Sequence, residues 1–428
     1  MTSSCHASRT ASKKLFRLNF STTKASAAGL VLLALCLLAG PARAALATAD
    51  LAGRWQGFIQ YKDSLGSSST GLFSLGLLLD IDSGGHVTGG NFGDDDALGS
   101  LNLAGNGALS GTLVDHDTTS QDATWNLGDA RMNGSKDILA GVVALDGYAS
   151  ICGRFALMRV SEAGATAQDL AGTWNGFMLD PSAGTGGGSY TAAAVGRHAF
   201  TIQAPSDDVV AGRYAYINTN DTFRHGDLTG AKPTVDGQGV LAGNLTCTID
   251  GGIADVDLTL AGAGLNRTRD GIIGYLPLAA GWIAYKTGSA ETPAADIAGR
   301  WRVYSWETTG DGLHRPVVAD LVLVPSGPAG MLTVVRGSYR YPATGDTGSI
   351  VSGSMSVAAG LVTSGSYTTG GGVVATIDSG ALNMALDAGA MILSNDVIIA
   401  GRALCNHSIL IRLQDTLSPA ATALMLLD

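Results

Sequence analysis

"DLAGRW" (Asp50–Trp55), "DLAGTW" (Asp169–Trp174) and "DIAGRW" (Asp296–Trp301) are near copies of one hexapeptide, set 119 and then 127 residues apart. Copies at nearly constant spacing mean that one structural unit is repeated. The rest of each unit repeats more loosely. Near its end an acidic residue leads into an apolar stretch: "DILAGVVAL" from Asp137, "DGIIGYLPL" from Asp270 and "DVIIAGRAL" from Asp396. A closing strand then carries a cation: Arg159 in "RFALMRV", Lys286 in "GWIAYKT" and Arg412 in "SILIRLQ". From each opening Trp to that cation is 104, 112 and 111 residues, a constant unit size. The linkers "SEAGATAQ" and "TGSAETPAA" are small, polar and proline-bearing. The units therefore divide as residues 45–162, 163–289 and 290–428.

Inside each unit the texture is β. Short apolar runs such as "LFSLGLLL", "HAFTIQA" and "ADLVLV" are bounded by Gly, Asp, Ser and Pro, and no segment keeps a helical period for long. "DSGG" (Asp82–Gly85) and "GNG" (Gly105–Gly107) read as tight hairpin turns. A glycine recurs within strands, as in "VTGGNF", "LSGTLV", "VAGRYA", "LAGNLT", "VRGSYR" and "VSGSMS". Such glycines mark bulges or bends, which a small closed sheet requires. The expectation is an all-β chain of three tandem antiparallel meander barrels, about eight strands each. "SPAATALMLL" adds a short C-terminal helix, with Ser418 as N-cap and Pro419 in its first turn.

A Gly-x-Trp on the first strand, a meander of about eight strands and a cation on the last strand resemble the calycin superfamily, the lipocalins and avidins. "TGGNF", "AGRY" and "RGSY" are similar to the Thr-Gly-x-Tyr stretch of avidins. The resemblance implies that each Trp lies across the closed end of its barrel under the cation. The barrel-closing pairs are then Trp55 with Arg159, Trp174 with Lys286, and Trp301 with Arg412. It covers nearly the whole chain past residue 44, three times over. The polar and tryptophan set that avidins use for biotin is not recognisable: Trp125 is the one mid-unit Trp and has no counterpart in the other repeats. Biotin binding is not carried over.

The first 44 residues read as a secretory signal peptide. A basic leader (Arg9, Lys13, Lys14, Arg17, Lys24) precedes the apolar run "GLVLLALCLLAG", and "PARAA" offers cleavage between Ala44 and Ala45. The run is too short for a stable bilayer span, so no membrane span is expected after cleavage. The destination is the periplasm or the exterior. Losing the six basic residues of the leader takes the formal net charge from −10 to about −16, which disfavours nucleic acid as a partner. With 46% apolar residues and 60 glycines the chain is folded and turn-rich rather than disordered. Beyond the leader only Cys152, Cys247 and Cys405 remain, one per unit. Three sparse cysteines are no disulfide framework, and they leave open whether one bridge forms.

No catalytic residue, metal site or cofactor motif is read. "VDHDT" around His116 places Asp115 and Asp117 on the opposite strand face from the imidazole. "GDDDALG" (Asp94–Asp96) and "DIDSGGH" (from Asp80) lack the ordered ligand spacing of a calcium loop. "FRHGD" (Phe223–Asp227) has no nucleophile motif beside it. The expectation is an exported, non-enzymatic protein that binds a small apolar ligand in one or more barrel mouths. The alternative is a structural or adhesive surface or matrix protein with filled barrels. A single outer-membrane barrel is disfavoured by 6% aromatic content and by the terminal "MLLD".

Overall fold

The computed structural model describes residues 45–62, 72–117, 121–161, 164–180, 194–203, 208–218, 223–229, 233–249, 253–260, 262–276, 280–288, 291–308, 314–327, 330–399 and 402–414. The leader with Ala44, the C-terminal helix expected at Ser418, and residues 162, 163, 289 and 290 at the expected unit boundaries lie outside the described residues. Ala45 is the first described residue and is exposed.

The protein is all-β. Eight antiparallel strands between Gly53 and Arg159 form a closed barrel in chain order. Its first strand, Gly53–Lys62, pairs with the second, Leu72–Ile81, and with the last, Tyr148–Arg159. A second closed barrel of eight strands runs from Gly299 to Arg412, closed by Gly299–Thr308 against Arg402–Arg412. Each barrel is preceded by a single helical turn at its base, Thr48–Leu51 and Ala294–Ile297, and the middle unit by Ala167–Leu170.

The middle unit follows the same meander without a complete ladder. Its nine-stranded sheet begins at Ile253–Thr259 and ends at Gly264–Leu265, with Gly172–Asp180 beside Ala280–Thr287 between them. Those two end strands correspond to the halves of one strand in the first barrel, Ala123–Met132. There the backbone bulges at Asp129, φ 51°, and pairing resumes. In the middle unit "LAGAG" stands at that place, with Gly262 likewise at positive φ, 81°. Among the described residues the ladder is open there, and Leu260 and Ala263 beside the gap are buried.

The third acidic landmark is also corrected. The strand equivalent to those after Asp137 and Asp270 starts after Asp387, not at Asp396, which lies late in the strand Ala388–Ile399. The backbone N–H of Arg159, Lys286 and Arg412 donates to the carbonyl of Asp137, Asp270 and Asp387 at 2.8, 2.8 and 2.9 Å.

Strand glycines act as read. Gly90 (φ 117°) and Gly111 (φ 134°) lie at register shifts, and a Cβ on either would strike the neighbouring strand's carbonyl. Inward residues fill the barrels: Trp55, Ile59, Leu77, Leu79, Leu101, Leu113, Phe155 and Leu157 in the first, Trp301, Val303, Leu321, Leu323, Val334, Met355 and Leu410 in the third. Unusually, the outward faces of the opening and closing strands are apolar too. Phe58, Ala156 and Met158, with Phe177, Ile283 and Tyr285 and with Tyr304, Ile409 and Ile411, form one core shared by all three units. Counted from each opening Trp, Phe58, Phe177 and Tyr304 are the same position, so the packing has threefold character.

Candidate functional site

The repeated hexapeptide explains itself residue by residue. Its Leu or Ile (Leu51, Leu170, Ile297) is fully buried at the barrel base. The carbonyl of that residue accepts the indole N–H of the Trp four positions on, at 2.7, 2.7 and 2.8 Å. Its Gly (Gly53, Gly172, Gly299) has φ of 128°, 132° and 138°, disfavoured for a side chain. A Cβ on Gly172 would also meet the Lys286 stem at 2.6 Å. The Trp lies opposite the closing cation in all three ladders, Trp55 with Arg159, Trp174 with Lys286 and Trp301 with Arg412. Arg159 sits 4.9 Å from the Trp55 ring centroid and Lys286 5.5 Å from that of Trp174. The cations also cap the helical turn: Arg159 donates to the Asp50 carbonyl, Lys286 to that of Asp169 at 2.9 Å, and Arg412 to that of Asp296 at 2.5 Å. Asp50 and Asp169 accept from Lys136 and Arg269 at 2.8 and 2.9 Å. In the third unit Leu386 replaces that cation.

Next to these bases lies a feature the sequence carried unread: Asn133–Asp137, Asn266–Asp270 and Asn383–Asp387, three Asn-x-x-x-Asp turns with the same spacing. Each Asn carbonyl oxygen accepts two backbone N–H groups of its own turn at 2.8–3.0 Å. Its amide NH2 faces its own Asp at 2.7, 2.8 and 2.9 Å. The turns then join into a ring. Ser135 N donates to Asp387 at 2.7 Å, Thr268 Oγ1 contacts Asp137 at 2.5 Å, and Met384 N donates to Asp270 at 2.8 Å. All three Asn and all three Asp are buried.

At another level of the shared core stands Arg154, 1% exposed and contacting no carboxylate among the described residues. It donates to Gln60 Oε1 at 2.8 and 3.1 Å, to the Tyr304 carbonyl at 3.1 Å, to the His407 carbonyl at 2.5 Å and to His407 Nδ1 at 2.7 Å. Gln60 Nε2 donates to the Leu179 carbonyl at 3.1 Å. The guanidinium and the Gln60 amide it holds thus tie three units. Burial and then the Arg154 charge hold His407 neutral, its pKa well below the ordinary value. Counted back from the closing cations, Arg154, Gly281 and His407 are equivalent positions.

The mouth of the first barrel is plugged. Trp125 lies 4.9 Å from the ring of Tyr61 and 6.1 Å from that of Phe92. Outside it, burial and then Asp95 push Asp115 up to about 6, and His116 pairs with Asp122 at 2.8 Å. Asp94 lies in a hairpin turn, and Asp96 stands opposite His116. Asp80 pairs with Arg54 at 2.8 Å, and Asp82 caps its hairpin by accepting from the N–H of Gly84 and His86. Among the described residues no His, Cys, Asp or Glu cluster has the geometry of a metal site. Cys152 is a buried free thiol, pushed by burial up to about 11. Cys247 and Cys405 lie on separate strands.

A cleft of about 800 Å³ opens between the outer face of the middle sheet and the third barrel. Arg197 and Arg213, exposed on adjacent strands, line it with Asn175, Phe177 and Asp227; Leu361 and Val362 form its far wall. Among the described residues neither guanidinium is in an ion pair. The "FRHGD" stretch thus contributes Asp227 to a cleft rather than to a catalytic triple.

No protein-family model and no curated protein sequence matches the chain. Among solved structures, it is similar to a protein of unknown function from the DUF3598 family of Nostoc punctiforme, at 10% identity and TM-score 0.20, covering 85% of this chain and 98% of that one. It is also similar to a putative AttH of Nitrosomonas europaea, at 11% and 0.21, covering 58% and 94%. A third is a double mutant of the vaccine antigen transferrin binding protein B of Haemophilus parasuis, at 7% and 0.20, covering 85% and 76%.

Proposed function

We propose that this is an exported, non-enzymatic binding protein of calycin-like barrels in which the barrels are scaffold and the cleft beside the middle sheet takes a small ligand. The leader's three-part pattern supports export. The observation that carries the binding reading is the contrast between filled barrel interiors and the open cleft. Its volume is in the range of ligand sites, and such sites favour junctions between packed units. Arg197 and Arg213 share the lining with Asp227 and Asp378, and with Phe177, Leu361 and Val362 beside them they favour a small molecule with an anionic group for the guanidiniums and an apolar body.

Fluorescence titration of the chain from Ala45 with 1-naphthoate tests this. Saturable binding weakened at least about tenfold by Arg213→Gln is expected, the loss of one charge-assisted hydrogen bond. Binding indifferent to Arg213→Gln and Arg197→Gln would remove the cleft from the account. No binding at all would favour the second reading, a structural or adhesive protein, which rests on the plugged first mouth and the shared core.

A further inference from the structure

The hydrogens of the Asn-x-x-x-Asp ring do not suffice for its contacts. Thr268 Oγ1 lies 2.5 Å from Asp137 Oδ2 and 2.5 Å from Asp270 Oδ1. Ser135 Oγ lies 2.8 Å from Asp137 Oδ1 and 3.1 Å from Asp387 Oδ1. A hydroxyl has one hydrogen, so each serves one carboxylate and leaves the other oxygen–oxygen contact without a proton. The amides are already committed. Their orientation is fixed by the backbone N–H groups they accept; the NH2 of Asn133 faces Ser135 Oγ, Asp137 Oδ1 and Asp387 Oδ1, and that of Asn266 faces Thr268 Oγ1, Asp137 Oδ2 and Asp270 Oδ1. Each of those carboxylate oxygens thus takes an N–H, while the second short contact of Thr268 Oγ1 still has no hydrogen of its own. The same orientation points N–H groups at the carboxylates, which excludes a metal ion in their place. Fully buried Tyr285 lies in the field of all three carboxylates, and among the described residues its hydroxyl has no hydrogen-bond partner.

We propose that the ring binds a shared proton at neutral pH and acts as a proton-operated clasp between the three units, which weakens when that proton is lost. The surrounding cations do not neutralise it. Lys136 and Arg269 are engaged with Asp50 and Asp169, Arg159 lies over Trp55, and Arg412 reaches the Asp296 and Ala298 carbonyls. Lys286 acts on Asp270 from beside Trp174. Burial, the largest influence, raises Asp270 above its ordinary range and Asp137 adds to it, against the lowering hydrogen bonds from Thr268, Asn266 and Met384. The folded ring then holds more protons than the separated turns, so its stabilisation is full below the ordinary carboxylate range and is lost as pH rises from there through the ring's own titration.

Infrared difference spectra and pH-dependent unfolding of the chain from Ala45 test this, with Asp270→Asn as the variant and Asp115→Asn as the control. At neutral pH the unaltered chain is expected to show the carbonyl stretch of a protonated, water-excluded carboxyl, absent in Asp270→Asn. Above about pH 6, beyond the Asp115 titration, its unfolding constant should go on rising with pH, by up to about tenfold per unit, until the ring has lost its proton, the slope of one linked proton. Asp270→Asn should flatten that slope and Asp115→Asn should leave it. No carboxyl band at neutral pH, or the same slope in Asp270→Asn, overturns the clasp. If Asp270→Asn does not fold, the band in the unaltered chain decides.

Discussion

Trp174 concentrates what a single residue does here. It is fully buried, its N–H is satisfied by Leu170, and Lys286 lies over its ring. Trp174→Ala is expected to cost about 3–5 kcal/mol, the range for large core deletions. Lys286→Ala should cost about 1 kcal/mol, since its ammonium is half-buried and one carbonyl loses its donor; chemical denaturation compares the two. Two titrating groups act with opposite sign. Asp115, pushed by burial and Asp95 to about 6, holds a proton in the folded barrel that the unfolded chain releases near 3.8, so stability falls as pH rises between those values. His198, pushed by burial to about 3, stays neutral while the unfolded imidazole protonates near 6.5, so stability falls as pH drops below that value. Asp115→Asn should lessen the first slope by one proton, leaving the share of the Asp270 ring, and should leave the second in melting curves taken across pH.

Among elements, the opening strand of each barrel is the most constrained, because it pairs on both sides, packs its inner face on the barrel core and gives its outer face to the shared one. A Cβ on Gly57 would run into the Ala156 backbone. Gly57→Ala is expected to destabilise by about 3 kcal/mol or more, as overpacking between two fixed strands does, which thermal melts will register. How far elements were legible follows the same logic. The hexapeptide, the closing cations and the hairpins were readable because each is a local rule: a cap, a positive φ, an alternation. The break in the middle unit's sixth strand was not, because "LAGAG" keeps the length and spacing of the bulged "LGDAR" in the first barrel and only the ladder shows which forms. The Asn-x-x-x-Asp ring was in plain sight as a repeat. Asp396, ahead of its own apolar stretch, offers a rival place for the third copy, and the ring's meaning depends on three turns meeting in space. The cleft had no signal, since its walls come from separate units.

For the whole molecule, three separate ladders share one core, and the linkers are not hinges between independent bodies. Limited proteolysis is expected to cut near residues 162 and 290, and the fragments to stay associated in gel filtration until Phe58, Phe177 and Tyr304 are parted. Arg154→Ala, which strands Gln60 Oε1, two carbonyls and a His407 nitrogen, should cost about 3 kcal/mol or more and loosen that association, since each buried orphan costs about 1–3 kcal/mol.

Arg154, Gly281 and His407 occupy one position three times over. Three identical subunits would have to place the same residue at each: three guanidiniums would crowd like charges, three imidazoles would lack their donor, and three glycines would leave a hole. Writing the copies into a single polypeptide removes that symmetry requirement. One copy supplies the charge, one accepts it, and one stays small enough to admit Phe58, whose ring a Gly281 side chain would strike. No single copy, excised and multiplied, carries the residues to rebuild this centre.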